Sequence, residues 1–253
     1  MTFSKLQIME IYQRRARRYD LSSRLYKLAG FRIDAYRKRA VEALNLKRGA
    51  TVVDIGCGTG VNFKALYNAV GAEGHIIGVD ASEAMLDQAA RRIRREGWQN
   101  VKLHHGEAGG WSFPARVDGI LSTFALTLIP EYAEVIAGGA RALMPGGRFV
   151  VLDFRVPESW PVVLKKLWLG ITRPFGVTLD LAERRPWMNM HTVLAQVQVR
   201  ELYLGLAYLA DGEVERVGET AASEDASPMP AAVWVNPDER NIRKDETQVI
   251  RPC

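Results

Sequence analysis

The sequence predicts an α/β protein: a doubly wound, mostly parallel sheet of seven strands, with an antiparallel strand in a C-terminal hairpin and helical segments in front of it. Three observations point there. From Thr51 to Phe154, short apolar runs alternate with segments of helical periodicity. The first run ends in Asp54 and then breaks into glycines at alternate positions, Gly56, Gly58 and Gly60. Near the end, "VQVRELYLGLAYLADGEVE" alternates apolar and polar residues, the period of two antiparallel strands.

Each element has its own signal. "TVVDIG" reads as a buried strand, and "VNFKALYNAV" as a helix closed by Gly71 and Gly74. "HIIGVD" is a second strand. Ser82 suits the N-cap of "EAMLDQAARRIRRE", in which Leu86, Ala89, Ala90 and Ile93 recur at helical spacing before Gly97 ends it. "VKLHHGEA" and "DGILSTFAL" are the third and fourth strands, "PEYAEVIAGGARALM" a helix, "PGG" a turn and "RFVVLDF" the fifth strand. In such sheets ligands bind beyond the carboxyl ends of the strands, where Gly56, Asp80 and Glu107 fall. The expected organisation is a helical segment over 1–45, a main domain over 46–217 with an insertion at about 155–195, and a loose tail over 218–253. That tail, beginning "ETAASEDASPMPAA" after Gly218, is a polar, small-residue stretch and a candidate oligomer contact.

Composition narrows the class. The chain has 253 residues, 47% hydrophobic and 25% charged, enough for a full-sized core. No apolar run approaches the roughly 20 residues that span a bilayer. The N-terminus lacks the apolar stretch of a signal peptide. The two cysteines, Cys57 and Cys253, lie far apart and without zinc spacing, which argues for a reducing cytoplasm and against a disulfide framework. Residues 1–50 carry thirteen Lys and Arg against four acids, so the formal +5 of the whole chain hides a basic front end. A solvated helical face, a nucleic-acid patch and an anionic membrane patch are all open readings of it.

Alternate glycines after a strand let the backbone approach a ligand and present N–H groups at a helix start. A dinucleotide fingerprint would place its third glycine at Val61, so the nicotinamide reading fits poorly. The pattern Asp54-x-Gly56-x-Gly58-x-Gly60 instead resembles the first motif of the class I S-adenosylmethionine (SAM) methyltransferases. Asp80, at the end of the second strand, matches the acid that holds the SAM ribose in that family, and "GEA" (Gly106 to Ala108) stands where the family usually has "GDA". Glu107 is one methylene longer than the usual acid. The resemblance, over about residues 10–215, implies a Rossmann-like domain and SAM as cofactor. It assigns Tyr19, Asp54, Gly56, Gly58, Gly60, Asp80, Ala81, Met85, Glu107, Ala108 and Ser122 to its site, with no metal.

The front segment "IYQRRARRYD" places Tyr12, Ala16, Tyr19 and Asp20 in the spacing Y-x-x-x-A-x-x-Y-D. It resembles the lid of two related groups, the ubiquinone and menaquinone C-methyltransferases and the soluble bacterial phosphatidylethanolamine N-methyltransferases. In both, the tyrosine corresponding to Tyr19 covers SAM. Quinone enzymes typically carry an Arg-Asn pair after the fourth strand, and "STFALTLIP" has neither residue. "WPVVLKKLWLGITRPF" mixes Trp160, Leu164, Leu167, Trp168 and Ile171 with Lys165, Lys166 and Arg173, a composition suited to a lipid interface. These features favour an amphiphilic acceptor, first of all the headgroup amine of a phospholipid handled at an anionic membrane surface, by a cytoplasmic protein peripheral to the inner face. A quinone-like or other small molecule is the alternative, as is a SAM-binding regulator without catalysis. The aromatics do not alternate with basic residues as RNA readers require, which argues against nucleic acid. Tyr19, His191 and Tyr203 are the candidates to position or deprotonate the acceptor. His75, His104 and His105 fall on strands and read as structural, and Cys57 as a small packing residue.

Overall fold

The computed structural model describes residues 32–157, 160–161, 163 and 184–215. Tyr19 with the rest of its front motif, most of the Trp- and Lys-bearing insertion, and the 218–253 tail lie outside the described residues. The strands are β1 (Thr51–Ile55), β2 (His75–Asp80), β3 (Val101–His105), β4 (Val117–Thr123), β5 (Leu143–Phe154), β6 (Ala195–Leu202) and β7 (Ala207–Glu213). They form one sheet in the order β3-β2-β1-β4-β5-β7-β6. Neighbours from β3 to β5 pair parallel, and β7 runs antiparallel between β5 and β6. The expected seven-stranded fold, with its one antiparallel hairpin strand, is what forms.

Strands buried on both faces explain the uninterrupted apolar runs. Val52, Leu121, Val150 and Leu152 face one layer of helices, α1 (Ile33–Ala43), α2 (Phe63–Val70) and α3 (Glu83–Glu96). Their neighbours Val53, Ile55, Ile120, Phe149 and Val151 face the other layer, α4 (Tyr132–Ala142) and α5 (Pro186–Val193). The helix ends follow their sequence signals. The Ser82 side chain accepts the Met85 N–H, and Gly97 closes α3 in the left-handed conformation at φ 74°.

Two expectations need correction. His104 and His105 lie on β3, which is an edge strand, and both are exposed, as is His75; none of them is a core histidine. The "PGG" stretch is not a separate turn, because β5 continues through it. The pairing of β4 with β5 jumps there from Val117↔Leu143 to Gly119↔Arg148, so the glycines absorb a bulge. Among the described residues, no helix is long and apolar enough to cross a membrane.

Candidate functional site

Strand order reverses between β1 and β4, both of which are hydrogen-bonded neighbours of the same sheet centre, and a cavity opens at their carboxyl ends. It is lined from the β1 side by Gly56 and Gly58, from the β2 side by Asp80, Ala81 and Met85, and from β3 by Glu107 and Ala108. Of the residues singled out in the sequence, these seven converge on one cavity.

The glycine turn is built for close approach. Gly56 sits at φ 65°, and a β-carbon there would lie 2.3 Å from the Ala125 Cβ. The turn therefore packs directly on the segment that follows β4. Gly58, at φ 54°, has nothing within 4 Å of where a β-carbon would stand. Its N–H donates to Asp80 Oδ2 at 2.8 Å, while the Ser82 N–H donates to Oδ1 at 2.9 Å. Each oxygen keeps a lone pair, so the carboxylate can still accept two further donors. Burial raises the Asp80 pKa, opposed by those two backbone N–H groups and by His105. Cys57 lies beneath the turn against Gly78, and burial pushes its thiol well above the ordinary range, as befits a packing residue.

Other assigned residues stand behind the lining. Asp54 is fully buried and accepts the Asn62 side-chain amide on both oxygens, at 3.2 and 3.1 Å. Burial raises its pKa to about 7, against the pull of Asn62 and of the Arg37 charge. The same Asn62 amide reaches Thr123 Oγ1 at 3.0 Å, and Thr123 does line the cavity. Gly60 is occupied by packing, since a β-carbon there would meet the Phe63 ring at 2.6 Å. Ser122 is buried and donates to the Ile55 carbonyl at 3.0 Å, joining β4 to β1.

The three acceptor-side candidates separate. His191 lies on the exposed face of α5 and is not on the cavity lining. Tyr203, at φ 48°, packs with Phe124, Phe154, Val156 and Trp160 on the buried pair Ile33 and Leu206. Phe124 from that cluster lines the cavity, and Tyr203 does not. Tyr19 lies outside the described residues.

Sequence reading missed the wall contributed after β4. Phe124, Ala125, Leu128, Ile129 and Pro130 give the cavity an apolar side, and Glu131 adds a carboxylate. That wall is braced from below. The buried Asp153 accepts both the N–H and the hydroxyl of Thr127, at 2.9 and 2.8 Å, and burial lifts its pKa to about 6. From the other flank Arg184 donates to the carbonyls of Thr127 and Ile129. The "STFALTLIP" stretch was in view as a sequence, but nothing in it signals that Phe124 holds φ 57°, a rare conformation for a bulky residue. Among the described residues no cluster of His, Cys, Asp and Glu could hold a metal.

A family model described as "Methyltransferase domain" matches residues 52–147, the span from β1 into the bulge of β5. The demethylmenaquinone methyltransferase of Staphylococcus saprophyticus is 33% identical over 194 residues, covering 74% of this chain and 81% of that protein. The demethylmenaquinone methyltransferase of Listeria monocytogenes is 27% identical over 173 residues, 67% and 72% of the two chains. Among solved structures, a SAM-dependent methyltransferase from Aquifex aeolicus superposes with a TM-score of 0.54 at 20% identity, covering 70% of this chain and 89% of that one. That last likeness is one of fold.

Proposed function

Because the chain belongs to the class I S-adenosylmethionine-dependent methyltransferases, we propose that it transfers the SAM methyl group to a ring carbon of a quinol-like acceptor. SAM dependence comes with the family; the acceptor is the proposal. Its quinone-methylating relatives support the acceptor class, and the apolar wall from Phe124 to Pro130 supplies a surface on which a flat ring can lie. This replaces the phospholipid amine as first choice.

The residues present fit SAM. The observation that carries the reading is the Asp80 carboxylate, held by Gly58 and Ser82 N–H groups with two acceptor positions left for a diol. Glu107 and Ala108, at the end of β3, would border the adenine, and Gly56 with Thr123 and Ala125 the methionyl end. SAM supplies an electrophilic methyl on a positive sulfonium, so the protein's work is alignment, exclusion of water and an unprotonated acceptor. A quinol gains nucleophilic carbon when a hydroxyl loses its proton, and the ring hydrogen leaves as a second proton after the carbon–carbon bond forms. Glu131, on the lining beside the apolar wall, would take a proton, and Tyr203, in the same cluster as Phe124, would help to position the ring.

A second reading, methylation of a phospholipid amine, keeps two supports: the segment after β4 lacks the Arg-Asn pair usual in quinone enzymes, and the front of the chain is strongly basic. Anionic vesicles should then bind the protein in a salt-sensitive way. One experiment separates the readings. The full chain is given SAM labelled in its methyl group together with a reduced, short-chain demethylmenaquinol, or with vesicles of phosphatidylethanolamine and phosphatidylglycerol. Label in the quinol, at a carbon resistant to acid and base, is the expected result. Label in the lipid amine supports the second reading, and label in neither overturns both acceptors while leaving SAM binding to be measured separately.

A further inference from the structure

Half of the backbone hold on the Asp80 carboxylate comes from a single peptide. Asp80 ends β2, and the chain turns at once into α3, with Ser82 as its N-cap. Asp80, Ala81 and Ser82 all line the cavity. The peptide between Ala81 and Ser82 presents the Ser82 N–H, which donates to Asp80 Oδ1 at 2.9 Å. Its carbonyl, that of Ala81, lies 3.2 Å from the Nε2 of His105. A carbonyl oxygen only accepts, so His105 carries a proton on Nε2 and donates it. Because a peptide is planar, the two bonds grip one rigid plate from opposite edges and fix its tilt. They also polarise each other, since a donor on the carbonyl makes the N–H across the plate a stronger donor to the carboxylate.

The end of β3 brings His105 to this corner. His105 is the last residue of that edge strand and the register partner of Asp80. The next residue, Gly106, donates its N–H to the Asp80 carbonyl at 3.1 Å. That backbone bond already ties the two strand ends together, so the side-chain bond is not needed to close the sheet. His105 is exposed, and its ring gains little from burial. Its hydrogen bond falls instead on the one peptide that joins β3 to the hold on Asp80. The His105 charge also lowers the Asp80 pKa against the effect of burial, which puts ring and carboxylate within electrostatic reach.

We infer that His105 is a positioning residue for SAM: through the Ala81–Ser82 peptide it aims the Asp80 carboxylate at the ribose hydroxyls. The inference rests on the SAM reading of the cavity and adds to it a residue that is not on the lining. In the sequence His105 is one of three histidines on strands and carries no motif. Only its bond to the Ala81 carbonyl singles it out.

The test is titration calorimetry of SAM on the full chain and on substitutions at position 105. His105→Ala should weaken SAM binding about threefold to tenfold, the net worth of one hydrogen bond. His105→Gln places an amide N–H where Nε2–H now stands and should remain within about twofold of the wild type. His105→Asn is one methylene shorter, cannot reach the Ala81 carbonyl, and should behave as the alanine variant. The loss at His105 should disappear in an Asp80→Ala background, because the peptide then has no carboxylate to aim. Unchanged affinity in His105→Ala would overturn the inference. So would equal affinities of the Gln and Asn variants, or the same loss with and without Asp80. The Gln and Asn comparison stands by itself, so a misfolded His105→Ala does not rescue the idea. Wild-type protein that binds no SAM would overturn the SAM reading of the cavity and this inference with it; tight wild-type binding with any of the three contrary results overturns the inference alone.

Discussion

Asn62 binds both oxygens of Asp54 with one side-chain amide, at 3.2 and 3.1 Å, in a site from which water is excluded. A single neutral donor group does little to stabilise a buried carboxylate, and the Asp54 pKa rises to about 7. Arg37 opposes that rise, and Asp80 adds to it. The folded protein therefore binds a proton at Asp54 that the unfolded chain has already released above about pH 4. Stability from this group is complete below that point and is lost as pH rises toward 7. Asp54→Asn, which keeps the shape and discards the charge, should make the ligand-free protein more stable at pH 8 by a few kcal/mol at most, on the order of 2 to 4, and change little at pH 4. Urea unfolding at the two pH values is the check; a gain equal at both would assign the effect to packing.

Asp80→Ala should weaken SAM binding by roughly 1.5 to 3 kcal/mol, the usual worth of hydrogen bonds to a charged group. The same change frees the Gly58 and Ser82 N–H groups that Asp80 now holds, so the turn should loosen as well. Calorimetry showing unchanged SAM affinity would defeat the assignment of this acid to the ribose.

Gly56→Ala introduces a β-carbon 2.3 Å from the Ala125 Cβ at a residue whose φ is 65°. The turn or the wall must move, and the fold should lose about 1 to 3 kcal/mol along with SAM affinity. Ala125→Gly in the same chain should return part of the stability, because it removes the clash and leaves only the backbone strain. Denaturant midpoints of the single and double variants decide the matter.

Thr127→Val removes the hydroxyl that donates to Asp153 at 2.8 Å. Asp153 keeps the Thr127 and Phe154 N–H groups and stays buried, with its pKa already at about 6. The lost bond serves the ionised form best, so destabilisation of about 1 to 3 kcal/mol should be fuller at pH 8 than at pH 5. Thermal melts at both pH values test the sign, and a loss greater at pH 5 would contradict it.

The sheet could be read from the chain because both of its faces are buried by helices. The central strands β1, β4 and β5 then have to be largely apolar runs, and the crossovers carry a helical period opened by Ser82 or closed by Gly71 or Gly97, all visible without coordinates. The convergence of Gly56, Gly58, Asp80, Ala81, Met85, Glu107 and Ala108 was legible for the same reason, since a parallel sheet delivers the ends of β1, β2 and β3 to one edge. Motif position did not reveal which residues of the pattern face the cavity. Asp54, Gly60 and Ser122 sit among the same motifs yet turn inward, because Asn62, Phe63 and Ile55 engage them from neighbouring elements. The rest depends on contacts between segments distant in sequence. The apolar wall from Phe124 to Pro130 takes its shape from Asp153 on β5 and Arg184 before α5, and Arg37 meets Phe124 only once α1 lies across the sheet. His191 shows the same limit from the other side: its place after β5 suggested the acceptor site, and the packing of Met190 into the core leaves it facing solvent. Local periodicity determines what each segment becomes, and burial against partners far along the chain decides which side chains reach the cavity.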